Sequence, residues 1–152
     1  MKNENGELLT VLDTIPTRCT IIMDKELSGF HLANAIAVIA MTAGKRHPGL
    51  LGADLIDQDG FPHPGLIPSG IPMLQTDQIS LHTVRDQAIA KGLDVVDFTE
   101  EGQMTKNYDE YLEMMSEIPG NHLHYLGIAV IGSKNAVSRL TKDCEMMKKK
   151  SG

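Results

Sequence analysis

The chain has 152 residues, a formal net charge of −6, no tryptophan and only 4% aromatic side chains. Hydrophobic residues make up 41% and charged residues 22%, which excludes a disordered chain and predicts one globular domain with an aliphatic, methionine-containing core. The net negative charge makes nucleic acid an unlikely partner, because a general nucleic-acid binder needs a basic face to neutralise phosphates. Two cysteines, Cys19 and Cys144, are too few for a disulfide framework and show no CxxC spacing.

The opening residues are polar, with a short helix expected around residues 7–13, and contain no apolar run of the signal-peptide type. The most apolar stretch, residues 32–43, is interrupted by Asn34 and Thr42 and is too short to span a bilayer. These features predict a cytoplasmic protein without membrane association. Its expected division is a polar lead-in at 1–17, a single α/β domain at 18–145 and a basic tail at 146–152.

In chain order, residues 19–23 form a β-branched apolar run suited to a buried strand. Ser28 is placed to cap a helix over 29–43, stopped by Gly44. That helix is apolar almost all round and is expected to be buried on more than one side. Residues 50–56 read as a strand, with a turn at 57–60. The segment 61–72, FPHPGLIPSGIP, carries Pro62, Pro64, Pro68 and Pro72 and reads as a stiff ordered loop. A strand at 71–75, a helix capped by Asp77 and closed by Gly92, and a strand at 93–98 follow. Thr105 or Asn107 caps an acidic helix ending before Pro119. A long apolar strand at 122–131 leads through Ser133 into a last helix to about Lys142. This alternation predicts an α/β fold with a mixed, mostly parallel central sheet and helices on both faces. Ligands in such folds sit beyond the carboxyl ends of the strands, here expected at 23–28, 75–77, 98–101 and 131–133.

Three stretches together carry a resemblance: DKELSGFHLANAIAVIA at 24–40, AIAKGLDVVDFTEE at 88–101 and LGIAVIGSKNAVSRLTK at 126–142. With Leu32 and Asn34 early in the first helix, Gly52, and the Asp57 to Gly60 turn, they resemble the DUF two-thousand family, a domain of unknown function. That family is in turn similar in fold to the type II peptidyl-tRNA hydrolases. The turn Val130-Ile131-Gly132-Ser133 matches the hydrolases' Ile-Gly-Pro turn, with Ser in place of Pro. His31 falls where the hydrolases carry a lysine and Ala35 where they carry a glutamine. Asp97 to Glu101 stand in place of their Asp-Ala-Gly-x-Thr segment. The resemblance implies the fold; hydrolase activity does not follow from it.

The residues themselves offer a small set of candidates. Ser28 and His31 lie at the start of the first helix, where free N–H groups and the dipole favour an anion and a neutral imidazole. His31 is the candidate catalytic residue, as general base or hydrogen-bond donor. Asn34 interrupts an apolar helix one turn later. Thr99 and Glu100 follow a strand end, beside Glu101. His47, His63, His122 and His124 are scattered without a metal-binding motif, so no metal and no cofactor is expected. No Walker loop, GxGxxG or GxSxG is present, and neither cysteine has the setting of an activated nucleophile.

Charge is unevenly distributed. Residues 94–117 hold eight acids against Lys106, whereas residues 118–152 hold six bases against Asp143 and Glu145. These are either solvated faces or complementary surfaces of a homodimer. Three functional expectations follow: binding of a small or anionic ligand at the start of helix 29–43, hydrolysis through His31, or a dimeric structural role.

Overall fold

The apolar run after Arg18 becomes β1 (Arg18–Asp24), the central element of a computed structural model that describes residues 15–148. The helix expected around residues 7–13 lies outside the described residues. After β1 come α1 (Gly29–Arg46), the two-residue strands β2 (Leu55–Ile56) and β3 (Pro62–His63), β4 (Met73–Thr76) and α2 (Gln78–Ala90). The chain continues with β5 (Asp94–Thr99), α3 (Glu100–Met104), α4 (Tyr108–Ser116), β6 (Tyr125–Gly132), α5 (Lys134–Leu140) and β7 (Glu145–Met146).

Five strands form one sheet in the order β5-β6-β1-β4-β7, and β2 pairs with β3 in a separate hairpin. The sheet is mixed, but it is mostly antiparallel rather than mostly parallel. Among the described residues only the neighbours β1 and β4 pair in parallel, while β1–β6, β5–β6 and β4–β7 pair antiparallel. The reason lies in the connection after β5. The helices α1 and α2 carry the chain back across the sheet, so β1, β4 and β5 share one direction. In contrast, α3 and α4 stay at the end where β5 finishes, with the Glu100 amide donating to the His124 carbonyl at 2.9 Å. The chain therefore re-enters the sheet from that end and β6 runs the other way. Consequently the end of β6, residues 131–133, lies away from the other strand ends, and its start, Tyr125, lies among them.

Helices do cover both faces. Cys19, Ile21 and Met23 of β1 point to the α1 side with Ala35, Ile39 and Ala43, while Ile22 points to the α2 and α5 side with Leu81, Val84, Ala88 and Val137. This is the strict alternation of a strand buried on both faces. The pairing of β5 with β6 shifts register between Phe98 and Thr99, so an extra residue of β6 is accommodated beside Tyr125. The bulge reverses the alternation: Tyr125 joins Ile128 and Val130 on the α2 side, and Leu126 joins Ala129 and Ile131 on the α1 side. Next to it, Gly127 leaves room for Met23, whose sulfur would sit 2.3 Å from any Cβ added there.

Several boundaries move for local reasons. Gly44 does not stop α1, which runs on to Arg46 and ends before Pro48, because the residue preceding a proline is biased away from helical geometry. Nor is α1 buried on several sides. It buries Ala35, Ile39 and Ala43 and leaves Phe30 and Met41 largely exposed. The strand expected at 50–56 shrinks to β2, and the turn at 57–60 forms around the Asp57 carboxylate, which accepts from the Asp59 and Phe61 amides at 2.9 and 3.0 Å. The proline-rich loop is closed where the Gly52 amide donates to the Leu66 carbonyl, and a Cβ on Gly65 would lie 1.9 Å from the Gly52 oxygen. Asp77 and Asn107 cap α2 and α4 through bonds to the third following amide, as the sequence predicts, and Ser133 caps α5 in the same way, whereas the Ser28 side chain does not form the cap expected of it. The strand expected from residue 122 begins at Tyr125, because Gly120–His122 form a 3-10 turn. At the other end of the chain, β7 pairs with β4, and the Met147 amide donates to the Met73 carbonyl.

The end of α1 is fastened to the start of β5 by charge. Asp94 accepts from Arg46 Nε and Nη2 at 2.8 Å each and lies 2.5 Å from His47 Nε2. The Arg46 hydrogen bonds, reinforced by His47 and opposed by partial burial, hold the Asp94 carboxyl down at about 2. Because the folded pKa is depressed, this contribution to stability is complete above the ordinary carboxylate range near pH 4 and is lost as pH falls toward about 2. Asp94→Asn is expected to lower the melting temperature by a few degrees at neutral pH. Thermal melts followed by circular dichroism should show wild type and variant converging below about pH 2.

Candidate functional site

The ends of β1, β4 and β5 and the start of β6 meet at one edge of the sheet, and a polar centre is built there. Asp24 ends β1 and is only 5% exposed. Its Oδ1 accepts from the Glu26 amide at 2.9 Å, and its Oδ2 accepts from Gln78 Nε2 at 2.6 Å and lies 3.2 Å from His124 Nε2. Gln78, the first residue of α2, also donates to the Tyr125 carbonyl at 2.6 Å and accepts from the Tyr125 amide at 3.0 Å. One side chain thus satisfies both backbone groups of the residue at the bulge and, with His124, shields a buried carboxylate that would otherwise be costly to desolvate. Tyr125 is held from the side by the His82 ring at 4.5 Å and by the Arg85 guanidinium, 5.4 Å above its ring. Arg85 is in turn anchored to Asp97 at 2.8 Å. Burial raises the Tyr125 phenol pKa, so it stays neutral at physiological pH.

The candidates chosen from sequence are distributed around this centre. Ser28 is exposed, stands at the N-cap of α1 and makes no capping bond with its side chain. No acidic residue occupies the first turn of α1. His31 is exposed in that turn, with its ring edge-on to Phe30 at 5.8 Å, and its carbonyl accepts a long 3.5 Å bond from Gln103 Nε2 of α3. That bond sets α3 against the start of α1. Asn34 is half-buried one turn further on. Thr99 is fully buried, and its hydroxyl lies 2.8 Å from the Tyr111 hydroxyl and 3.4 Å from the Met115 sulfur, which fixes α4 over the sheet edge. Glu100 is exposed at the start of α3, while Glu101 Oε2 is buried without a hydrogen-bond partner. Ser28 and His31 therefore share an open first turn, whereas Thr99 turns inward.

Asp24, Gln78 and His124 were not singled out as a site by sequence reasoning. Asp24 and Gln78 each sit at or just beyond the carboxyl end of a strand, which is the signal that could have found them. His124 could not be found this way, because it gains its place only from the reversed direction of β6.

A shallow, open hollow of about 220 Å³ lies between α3 and α4, lined by Gly102, Thr105, Lys106, Asn107, Tyr108 and Tyr111. None of the candidate residues lines it. Among the described residues, no group of three or more His, Cys, Asp or Glu is placed to hold a metal ion. His47 and His63 are each engaged by an aspartate, Asp94 and Asp57. Both cysteines are free; burial pushes the Cys19 thiol up to about 11 and also raises that of Cys144, so neither is an activated thiolate. Among the described residues, no helix is long and apolar enough to cross a membrane.

The architecture is that of a mixed α/β domain with a five-stranded sheet and a polar centre at the edge where three strands end. Residues 17–148 match the family described as protein of unknown function (DUF2000), and the chain belongs to that family. A solved structure of a protein of unknown function from Agrobacterium tumefaciens is similar in fold, with a TM-score of 0.78 and 18% sequence identity over 90% of this chain and 98% of that one. No curated protein matches the chain at a significant level.

Gln78→Leu keeps the approximate bulk but leaves the Asp24 carboxylate and both backbone groups of Tyr125 short of partners. It is expected to destabilise the fold by about 1–3 kcal/mol in denaturant unfolding. Gln78→Glu should also destabilise, because it sets a second carboxylate beside Asp24.

Proposed function

We propose that the protein is a cytoplasmic small-ligand-binding protein whose site lies at the edge of the sheet, with the first turn of α1 receiving an anionic group. The observation that carries this reading is the open first turn itself: Ser28 has an exposed hydroxyl free of capping, His31 is exposed beside it, and no acidic residue occupies the turn. Such a turn presents backbone N–H groups and the positive end of the dipole to an anion. Asn34 supplies an amide one turn on, and Glu100 borders the site from α3. The carboxylates of Glu100 and Glu101, neither of which is paired among the described residues, favour a ligand that also carries a hydrogen-bond donor, as an amino acid does. The two free cysteines support a reducing compartment. A thermal-shift panel of amino acids, acyl phosphates and nucleotides tests the reading. A binder at about 100 times its Kd should stabilise the protein by about 2.7 kcal/mol, and Ser28→Ala with His31→Ala should remove most of that gain. No shift across the panel, or a shift untouched by the double substitution, would count against it.

A second reading is hydrolysis through His31 and water, in the manner implied by the resemblance to the type II peptidyl-tRNA hydrolases. It is supported by the exposure of His31 and by its place in the open first turn, where its ring is accessible to water. His31→Ala should then lower turnover of an activated ester or of peptidyl-tRNA at least about 100-fold. An unchanged rate removes His31 from the reaction. Transfer RNA is the less favoured substrate, because the segment 94–117 carries eight acids against one base.

A further inference from the structure

From residue 29 to residue 44, α1 contains no Asp, Glu, Lys or Arg, yet only one of its sides is covered by the sheet. Its outward side carries Phe30, 77% exposed, and Met41, 83% exposed, with the exposed small residues Ala33 and Ala37 between them. Gly44 continues the same stripe, and a Cβ added there would meet nothing within 4 Å. Phe30, Ala37 and Gly44 are spaced by seven, with Ala33 and Met41 interleaved, which is the spacing of a helix–helix seam. The loop that follows α1 lies on the same face of the sheet, where Leu50, Ile67 and Ile71 pack against the α1 core. Of the fifteen exposed large hydrophobic residues among those described, eight fall within residues 30–66. Phe30 and Met41 lie on one stripe of α1 with small residues between them, whereas single scattered hydrophobics would need no explanation.

We propose that this face is the interface of a twofold homodimer, in which α1 packs antiparallel against α1 of a second copy with the axis at Ala37. The occupant is identified by self-complementarity. With Ala37 on the axis, Phe30 of one copy faces Gly44 of the other, and Met41 faces Ala33, so each large side chain meets a small one. Alanine at the crossing lets the two helices approach to the ordinary 8–10 Å. The charges at the ends complement one another: Glu26, exposed just before the helix, comes within a turn of the partner's Lys45, exposed in the last turn, and this occurs twice. The antiparallel arrangement also sets the positive end of each helix dipole beside the negative end of the other. A helix of 18 residues is about 27 Å long. The exposed Leu51 and Leu66 of the adjoining loop extend the apolar surface beyond the helix itself. This pairing uses a different surface from the acidic and basic segments at 94–117 and 118–152.

Sedimentation and light scattering on the full chain over a concentration series test the proposal. The expected result is a species of twice the 16.6 kDa chain mass. Ala37→Arg, at an exposed position, should weaken association at least tenfold while the circular dichroism spectrum is retained. Ala37→Cys should give an intermolecular disulfide under mild oxidation, a result that does not depend on the arginine variant folding. Glu26→Lys and Lys45→Glu should each weaken the dimer, and the double exchange should restore it. A monomer throughout the series would overturn the proposal. So would a dimer that ignores Ala37→Arg and is broken by Glu110→Lys with Glu113→Lys, which would place the interface on the acidic helix. No disulfide from Ala37→Cys in a dimeric sample would also overturn it.

Discussion

The pairing of β1 with β6 is the constraint on which the rest of the molecule depends. β6 is buried along almost its whole length and β1 is buried from Cys19 to Asp24, so both lose water on two faces at once. Ile21, Ile22, Met23, Ile128 and Val130 are each fully buried, and burial of such side chains contributes about 1.5–3 kcal/mol apiece before the entropy of ordering them is counted. α1 seals one face of this pair, and α2 with α5 seals the other. The direction of β6 also decides what gathers at the end of β1.

That dependence connects core to site. A buried carboxylate at the end of a central strand is costly unless it is hydrogen-bonded, and Asp24 is satisfied by two hydrogen-bond donors and by the nearby His124 ring, drawn from three parts of the chain. Gln78 comes from the start of α2, His124 from the segment entering β6, and the Glu26 amide from the turn into α1. The bulge at Tyr125 lets β6 enter the sheet while offering both its backbone groups to Gln78. The centre is thereby a structural keystone, and the open first turn of α1 stands next to it on a rigid support. Flexible loops would not hold such a turn in place as well.

Much of the fold was legible because its signals are local. The caps at Asp77, Asn107 and Ser133, the turn around Asp57, and the alternation of strands with helices each depend on a few neighbouring residues. The open outer side of α1 was not legible, because apolar composition around a helix does not distinguish a covered side from one left open. Gly44 was misleading for a related reason. A glycine can end a helix, but here the basic pair Lys45 and Arg46 continues it to the ion pair with Asp94.

The sequence by itself determined the mixed α/β class of the protein, the order of its main strands and helices and the start of a helix just after Ser28. Periodicity, capping chemistry and turn residues act within a few positions of one another, so they can be read along the chain. The tertiary structure alone decided the neighbours of each strand, the reversal of β6 and the union of Asp24, Gln78 and His124. It also turned Thr99 inward to Tyr111 and left one side of α1 uncovered. Those outcomes depend on where α3 and α4 return the chain to the sheet, a choice made by long-range packing between segments that share no local signal.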